Sequence, residues 1–240
     1  MKNCETDCDA IEPSKLQVDA GQAIYTRRTL KIYDRFVLGF SNRLVWKCST
    51  RCLLRHYDQH VTANHLDVGV GTGYFLQHCQ FPDPKPRIGL LDLNENALQF
   101  TADRIRRYSP QKFRCNIMQP VVEQLGDRIP PSFDSVGISY LLHCLPGQMD
   151  AKGVVFDHLL PLLTPEAVVF GSTLLGDGVA SNFLARRLMR VYNQRGIFSN
   201  QCDTLASLER QLRSRFVDVN ISMVGCCAIF SARSARSVPR

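Results

Sequence analysis

The chain has 240 residues, 45% of them hydrophobic, which suits a single domain with a substantial core. It has no apolar run of roughly 18 residues and no apolar signal-peptide core at its start, so we predict a cytoplasmic protein without membrane contact. The formal net charge is +7, but the basic residues are spread over several predicted amphipathic helices, and a nucleic-acid partner is therefore not expected.

The ten cysteines are scattered, without the paired spacing of metal-binding knuckles. Four of them lie in apolar patterns and are interpreted as buried free thiols: Cys79, Cys115, Cys226 and Cys227. The histidines show no metal-ligand spacing, and no metal site is predicted.

The N-terminal region precedes the first predicted strand. Residues 1 to 20 are polar and are expected to form a disordered tail, and residues 233 to 240 form a second tail. Residues 21 to 60 are predicted to form a helical cap, because apolar positions recur at helical spacing around Tyr33. Ser41 or Asn42 is expected to cap a second helix within it.

A glycine-rich segment follows the cap. An apolar run that begins near residue 65 ends in Gly69, Gly71 and Gly73, and Asp67 lies two positions before the first glycine. This pattern is typical of a buried strand that turns sharply into a helix and brings its backbone close to a ligand. A second strand-like run ends in Asp92, whose carboxylate can accept hydrogen bonds from both hydroxyls of a ribose.

Residues of this segment limit the class of ligand that it can bind. A dinucleotide site needs a third glycine where this chain has Tyr74, and Asp67 would place a negative charge beside a pyrophosphate. A NAD-dependent dehydrogenase is therefore the least favoured reading. A ligand with a ribose and a cationic amino-acid end fits better, and S-adenosylmethionine has both.

In order and spacing, the Asp-x-Gly-x-Gly-x-Gly segment and the strand ending in Asp92 resemble the class I S-adenosylmethionine-dependent methyltransferases. The resemblance covers residues 61 to 232 and implies a doubly wound α/β fold. The fold has a mostly parallel seven-stranded sheet, a C-terminal antiparallel hairpin and the N-terminal helical cap. The third strand and the adenine-binding turn are expected within residues 113 to 118, and later strands are expected at residues 133 to 140, 167 to 172, 217 to 223 and 226 to 231. Later helices are expected at residues 149 to 163, 180 to 195 and 203 to 213.

The resemblance also implies roles for individual residues. The glycines would cradle the cofactor, Asp67 would neutralise the methionine ammonium group, and Asp92 would bind the ribose. Asn116 stands where the family usually has an acid, but its amide carbonyl can still accept from the adenine amino group. The predicted cofactor-binding residues are Tyr33, Asp67, Gly69, Gly71, Gly73, Asp92, Leu93, Asn116, Ile117 and Ser139. For Tyr33, packing in the core stays open as the alternative.

Two residues after the fourth strand are the candidates for catalysis. Tyr140 is predicted to shape the acceptor site. His143 is the candidate general base, because imidazole titrates near neutral pH, and its alternative is a structural histidine packed on the next helix. The acceptor is expected between the cap, these two residues and residues 192 to 198.

The chain lacks the acceptor-gripping motifs of amino-directed DNA and glutamine methyltransferases and of arginine methyltransferases, and the metal set of catechol methyltransferases is not recognisable. The leading hypothesis is therefore methyl transfer to a small, largely apolar metabolite, as in secondary metabolism. The alternatives are a methyltransferase for tRNA or protein and a non-catalytic cofactor-binding protein. The acceptor atom and the oligomeric state stay open.

Overall fold

A computed structural model describes residues 41 to 236, so the predicted tails, the helix around Tyr33 and Tyr33 itself lie wholly or partly outside the described residues. The helices are α1 Thr50–His60, α2 Tyr74–His78, α3 Glu95–Arg104, α4 Val121–Leu125, α5 Met149–Lys152, α6 Val154–Leu159, α7 Phe183–Gln194 and α8 Leu205–Arg213. The strands are β1 Asn64–Val68, β2 Arg87–Asp92, β3 Gln111–Arg114, β4 Phe133–Ser139, β5 Leu163–Leu174, β6 Phe216–Val224 and β7 Cys227–Ala235.

The seven strands form one sheet in the order β3-β2-β1-β4-β5-β7-β6. The first five run parallel, and β7 pairs antiparallel with both β5 and β6. The predicted mostly parallel sheet with a C-terminal hairpin is thus confirmed. The strand order reverses between β1 and β4, and ligands of open α/β sheets bind at the carboxyl ends of strands at such a point.

Helices cover both faces of the sheet and bury its apolar side chains. On one face, Tyr57 of α1 and Leu98 of α3 pack near Phe170 of β5. On the other face, Phe156 of α6 and Leu208 of α8 belong to the larger core cluster. The central strands are therefore buried on both sides, which explains why they appear in the sequence as continuous apolar runs.

The start of the first described helix differs from the prediction. Ser49 caps α1 by accepting a hydrogen bond from the Cys52 amide, whereas residues 41 to 45 form a π-helical turn. Asn42 is fully buried, donates to Thr50 Oγ1 at 3.1 Å and accepts from the Tyr140 hydroxyl at 3.0 Å. The expectation that Ser41 or Asn42 caps this helix was therefore wrong, because tertiary contacts occupy the Asn42 side chain.

Two further boundaries also differ. The helix expected over residues 149 to 163 is divided into α5, α6 and a short 3-10 turn that contains Pro161, which has no amide proton to donate. The third strand is Gln111–Arg114 and so begins two residues before the predicted segment, and the predicted turn follows it, closed where Asn116 accepts a hydrogen bond from the Met118 amide.

The cysteines of residues 41 to 236 are free thiols. Cys79, Cys115, Cys226 and Cys227 are buried, as predicted. In this part of the chain, no helix has both the length and the apolar character needed to cross a membrane.

Candidate active site

The loop between β1 and α2 has the backbone that its glycines predict. Gly69, Gly71 and Gly73 have φ values of 72°, 52° and 67°, in the left-handed region that favours glycine. A Cβ atom on Gly73 would lie 2.6 Å from Thr101 Cγ2, so this glycine lets α3 pack against the loop. Among residues 41 to 236, a Cβ atom on Gly71 would have only the Gly69 carbonyl oxygen nearby, at 4.0 Å. Within this part of the chain, the space above Gly71 is therefore open to a ligand.

Two cavities flank this loop at the carboxyl edge of the sheet. The first has a volume of about 820 Å³ including its open mouth, and the second about 500 Å³. The first is lined by Val68, Gly69, Gly71, Leu91, Asp92, Leu93, Asn94, Cys115, Asn116, Ile117, Met118, Tyr140, Leu141, Cys144, Leu145 and Pro146. The second is lined by Asp67, Gly69, Val70, Gly71, Thr72, Gly73, Tyr74, Phe75, Leu76, Ser139 and Tyr140.

The two cavities share Gly69, Gly71 and Tyr140 and are therefore adjacent parts of one site. The predicted site residues of the described part of the chain line one or both of them, with the exception of His143. The predicted ribose and adenine residues lie in the first cavity. Asp67 and Ser139 lie in the second.

Asp92 ends β2 as a partly exposed carboxylate in the first cavity. Its Oδ1 accepts a hydrogen bond from the Asn94 amide at 2.8 Å. Burial raises the pKa of Asp92 to about 6, although the backbone amides of Asn94, Gly71 and Val70 oppose this shift. Near neutral pH the group is therefore an ionised acceptor in a partly dry pocket.

The turn after β3 is held by two side chains that sequence reasoning missed. Gln124 accepts from the Asn116 amide and donates to the Asn116 carbonyl, both at 2.8 Å. His158 donates from Nδ1 to the Ile117 carbonyl at 2.8 Å. The Asn116 side-chain oxygen accepts from the Met118 amide at 3.0 Å, so any bond to an adenine amino group would use its second lone pair.

Tyr140 follows β4 with a φ of 60°, which is uncommon for a residue with a large side chain. Its amide donates to the Ser172 carbonyl at 2.8 Å, and its hydroxyl donates to Asn42 Oδ1 at 3.0 Å. These bonds fix the position of Tyr140, which lines both cavities. The geometry is consistent with the predicted role of Tyr140 beside the reacting group.

His143 lies behind this surface, only 3% exposed. Its Nδ1 accepts from the Leu174 amide at 3.3 Å, and its ring meets the Phe198 ring edge-on with centroids 4.6 Å apart. Burial, reinforced by the charge of Lys152, lowers the pKa of His143 to about 3. This environment favours the structural alternative, and the general-base role stays a prediction.

Asp67 is the penultimate residue of β1 and is 8% exposed. The Tyr57 hydroxyl of α1 donates to its Oδ2 at 2.5 Å. Sequence reasoning missed Tyr57, because it is ten positions away in the chain and carries no motif.

Comparisons with known proteins agree with this geometry. Residues 66–169 match the family model described as "Methyltransferase domain". The demethylluteothin O-methyltransferase of Streptomyces thioluteus is 41% identical over 216 residues, which are 90% of this chain and 92% of the relative. The chain belongs to the S-adenosylmethionine-dependent methyltransferases.

A second relative and a solved structure support the same assignment. The physcion biosynthesis cluster O-methyltransferase of Aspergillus chevalieri is 35% identical over 92% of this chain and 97% of its own length. The fold resembles the N-methyltransferase NodS of Bradyrhizobium japonicum in complex with S-adenosyl-L-homocysteine, with a TM-score of 0.59 and 14% identity. That likeness covers 92% of this chain and 99% of NodS.

The residues at the sheet edge fit S-adenosylmethionine, the cofactor of this methyltransferase family. The open space above Gly71 admits a ligand against the backbone, and Asp92 offers acceptors for ribose hydroxyls. Ile117 and Met118 supply apolar surface for a purine, and Asp67 supplies a negative charge for an ammonium group.

Proposed function

We propose that this methyltransferase transfers the methyl group of S-adenosylmethionine to a hydroxyl oxygen of a small, largely apolar metabolite of the kind made in secondary metabolism. The observation that carries the proposal is the composition of the surface around Tyr140. Beyond this residue, the first cavity is lined by Leu141, Leu145 and Pro146, and an apolar wall suits an apolar acceptor. The names of the two O-methyltransferase relatives favour oxygen as the acceptor atom.

The cofactor would be held by residues from three strand ends. Asp92 would accept from the ribose hydroxyls, Asp67 would face the ammonium group, and Ile117 would pack against the adenine. When bound, S-adenosylmethionine supplies an electrophilic methyl group on a sulfonium centre. The contribution of the chain is mainly alignment and the exclusion of water, because the leaving group is already activated.

A nucleic-acid or protein acceptor is the second candidate, and the distribution of basic residues argues against a nucleic-acid acceptor. The described residues that line the two cavities include neither lysine nor arginine. Arg186, Arg187 and Arg190 are exposed on α7 and do not line either cavity. An enzyme that follows a phosphate backbone needs basic residues beside its site.

The proposal can be tested with methyl-labelled S-adenosylmethionine. The purified chain would be incubated with a panel of aromatic and enolic hydroxyl compounds, matched amines, bulk tRNA and histones. We expect label in low-mass, solvent-extractable products from hydroxyl compounds, and loss of that label in Asp92→Ala.

The triple variant Arg186→Gln, Arg187→Gln, Arg190→Gln serves as the control. We expect it to methylate the small acceptor at the wild-type rate. Label recovered in tRNA or histones, and lost in the triple variant, would overturn the small-molecule assignment. Tight binding of the cofactor without label in any fraction, including an extract of the source cells, would favour the non-catalytic alternative.

A further inference from the structure

A chain of buried polar side chains lies behind Asp67, and we call Tyr57, His65, Ser135 and Asp67 the Asp67 array. His65 Nε2 lies 2.7 Å from Tyr57 Oη, which in turn lies 2.5 Å from Asp67 Oδ2. His65 Nδ1 lies 2.8 Å from Ser135 Oγ. His65 and Ser135 are fully buried and Tyr57 is 1% exposed, so the array runs through the interior.

Strand register and small residues assemble this array. His65 and Asp67 are two positions apart on β1 and therefore point to the same face of the sheet. On β4 their partners are Ser135 and Gly137, respectively. A Cβ atom on Gly137 would lie 3.1 Å from His65 Cε1 and 3.4 Å from Asp67 Oδ2, so glycine leaves the room that both side chains occupy.

Aromatic packing fixes the ring that reaches Asp67. The Tyr57 ring stacks on Phe75 with centroids 5.6 Å apart, and meets Phe170 edge-on at 5.0 Å. Phe75 itself lines the second cavity. The hydroxyl of Tyr57 is thus held against Asp67 by contacts on both sides of its ring.

The positions of the protons follow from the chemistry of the partners. An ionised carboxylate only accepts, so the Tyr57 hydroxyl must donate to Asp67 and must accept from His65 Nε2–H. The Nδ1 lone pair of a neutral His65 then accepts from the Ser135 hydroxyl, and Ser135 Oγ accepts from the Thr62 amide at 3.0 Å. Every donor in the array therefore points toward Asp67, and such chains strengthen one another in a dry interior.

The orientation has a consequence for the second cavity. Among the described side chains, Asp67 contacts Tyr57 and His65, and both contacts are made by its Oδ2 atom. The Tyr57 hydroxyl donates to this oxygen, and His65 Nε2 lies 3.7 Å from it. Burial and the charge of Asp67 raise the pKa of Tyr57 well above its usual range, so Tyr57 stays a donor at any working pH. The array thus holds Asp67 Oδ2 in place at the wall of the second cavity.

We propose that Tyr57, His65 and Ser135 are positioning residues that orient Asp67 toward the ammonium group at the amino-acid end of the cofactor. The inference rests on the role proposed above for Asp67. It assigns these three buried residues a part in cofactor selectivity, in addition to their packing.

Calorimetry with two probes separates positioning from packing. S-adenosyl-L-homocysteine carries the ammonium group, whereas 5′-methylthioadenosine shares the adenine, ribose and thioether but lacks the amino-acid end. Tyr57→Phe removes only the hydroxyl that donates to Asp67. We expect it to weaken binding of S-adenosyl-L-homocysteine about tenfold or more, and to leave 5′-methylthioadenosine within about twofold of wild type.

Tyr108→Phe is the matched control, because Tyr108 packs on Phe81 outside both cavities. It should change neither affinity. Should Tyr57→Phe fail to fold, Ser135→Ala would be measured by the same criterion, with a smaller but equally selective loss expected.

Equal loss of both probes, or no loss of either, would overturn the proposal, since a purely structural role does not distinguish them. The variant Asp67→Asn distinguishes failure of the positioning role of the Asp67 array from failure of the proposed role of Asp67 itself. A selective loss in Asp67→Asn without one in Tyr57→Phe overturns the array alone. No selective loss in either variant overturns the role of Asp67 as well.

Discussion

Asp92 is partly exposed at the end of β2, and burial raises its pKa to about 6. In an unfolded chain the pKa of an aspartate is roughly 4, so the folded state binds more protons than the unfolded state between these values. Ionisation of Asp92 therefore lowers the free energy of unfolding progressively as the pH rises from roughly 4 to 6. Above pH 6 this destabilisation is fully present. A carboxylate placed for ligand binding destabilises the ligand-free fold.

Asp92→Asn should therefore separate stability from binding. We expect the variant to be more stable than wild type at pH 7.5 without ligand, by about 1–3 kcal/mol at most because Asp92 is partly solvated. The gain should shrink as the pH approaches roughly 4, whereas S-adenosyl-L-homocysteine should bind at least about tenfold more weakly. Thermal unfolding across pH and calorimetry measure the two effects.

Glu166→Gln, at an exposed carboxylate on β5, is the control and should change neither quantity. A lower melting temperature for Asp92→Asn at pH 7.5 would show that the charge of Asp92 stabilises the fold instead.

Substitution of His143 distinguishes a catalytic from a structural role for this side chain. The side chain is buried and accepts from the Leu174 amide, so His143→Ala should lower the free energy of unfolding by about 2–4 kcal/mol. Turnover of the folded variant, measured well below its melting temperature, should stay within a few-fold of wild type. A loss of about 10²-fold with unchanged cofactor affinity would instead establish His143 as the base.

At the scale of elements, the segment before α8 is attached to α5 by a fully buried ion pair. Lys152 Nζ lies 2.5 Å from Asp203 Oδ2 and 2.5 Å from the Ser199 carbonyl oxygen. Burial lowers the pKa of Lys152 and raises that of Asp203, although each partner opposes the shift of the other. Desolvation therefore offsets much of the attraction within the pair.

Removing one member of the Lys152–Asp203 ion pair should lower the free energy of unfolding more than removing both members. Lys152→Met leaves a buried, unpaired carboxylate and should lower the free energy of unfolding by about 3–5 kcal/mol. The double variant Lys152→Met, Asp203→Leu should recover a substantial part of this loss, as measured by urea denaturation. Additive losses in the two single variants and the double variant would contradict a coupled pair.

The order of elements was predictable from the sequence, and several boundaries were not. The glycine loop and the strand ending in Asp92 are local patterns, and the family resemblance supplied the later strands. The start of α1 was missed because the partners of Asn42, Thr50 and Tyr140, are distant in the chain or unmarked by a motif. The start of β3 was missed because Gln111 and Lys112 are polar and exposed, whereas the turn at Asn116 was part of the prediction.

In the candidate site, too, local patterns were predictable from the sequence, whereas contacts between distant segments were not. The predicted cofactor residues between Asp67 and Ser139 line adjacent cavities because the carboxyl ends of β1, β2, β3 and β4 meet at one edge of the sheet, whereas Tyr33 lies outside the described residues. The burial of His143 and the array behind Asp67 depend on strand register and helix packing, which no single segment encodes. Only the alternation of His65 and Asp67 on one strand hinted at the array.

For the molecule as a whole, the net charge of +7 is not concentrated at the site. Arg210 pairs with Asp150 at 2.8 Å, and Arg215 pairs with Asp157 at 2.6 Å. These basic residues of α8 and the turn after it are balanced locally, and within residues 41 to 236 neither cavity has a basic lining residue. The charge therefore gives no reason to expect a polyanionic substrate.

The most direct test of the account is a calorimetric titration of S-adenosyl-L-homocysteine into wild type, Gly71→Val and Gly178→Val. Gly71 and Gly178 both have positive φ, and at either position an added Cβ atom meets no atom of the described residues closer than 4.0 Å. The backbone strain is therefore matched, and only Gly71 borders the two cavities. We predict tight binding by wild type and Gly178→Val, and a loss of roughly 100-fold or more in a folded Gly71→Val, corresponding to about 3 kcal/mol. Unchanged binding by Gly71→Val would contradict the placement of the cofactor at this edge of the sheet.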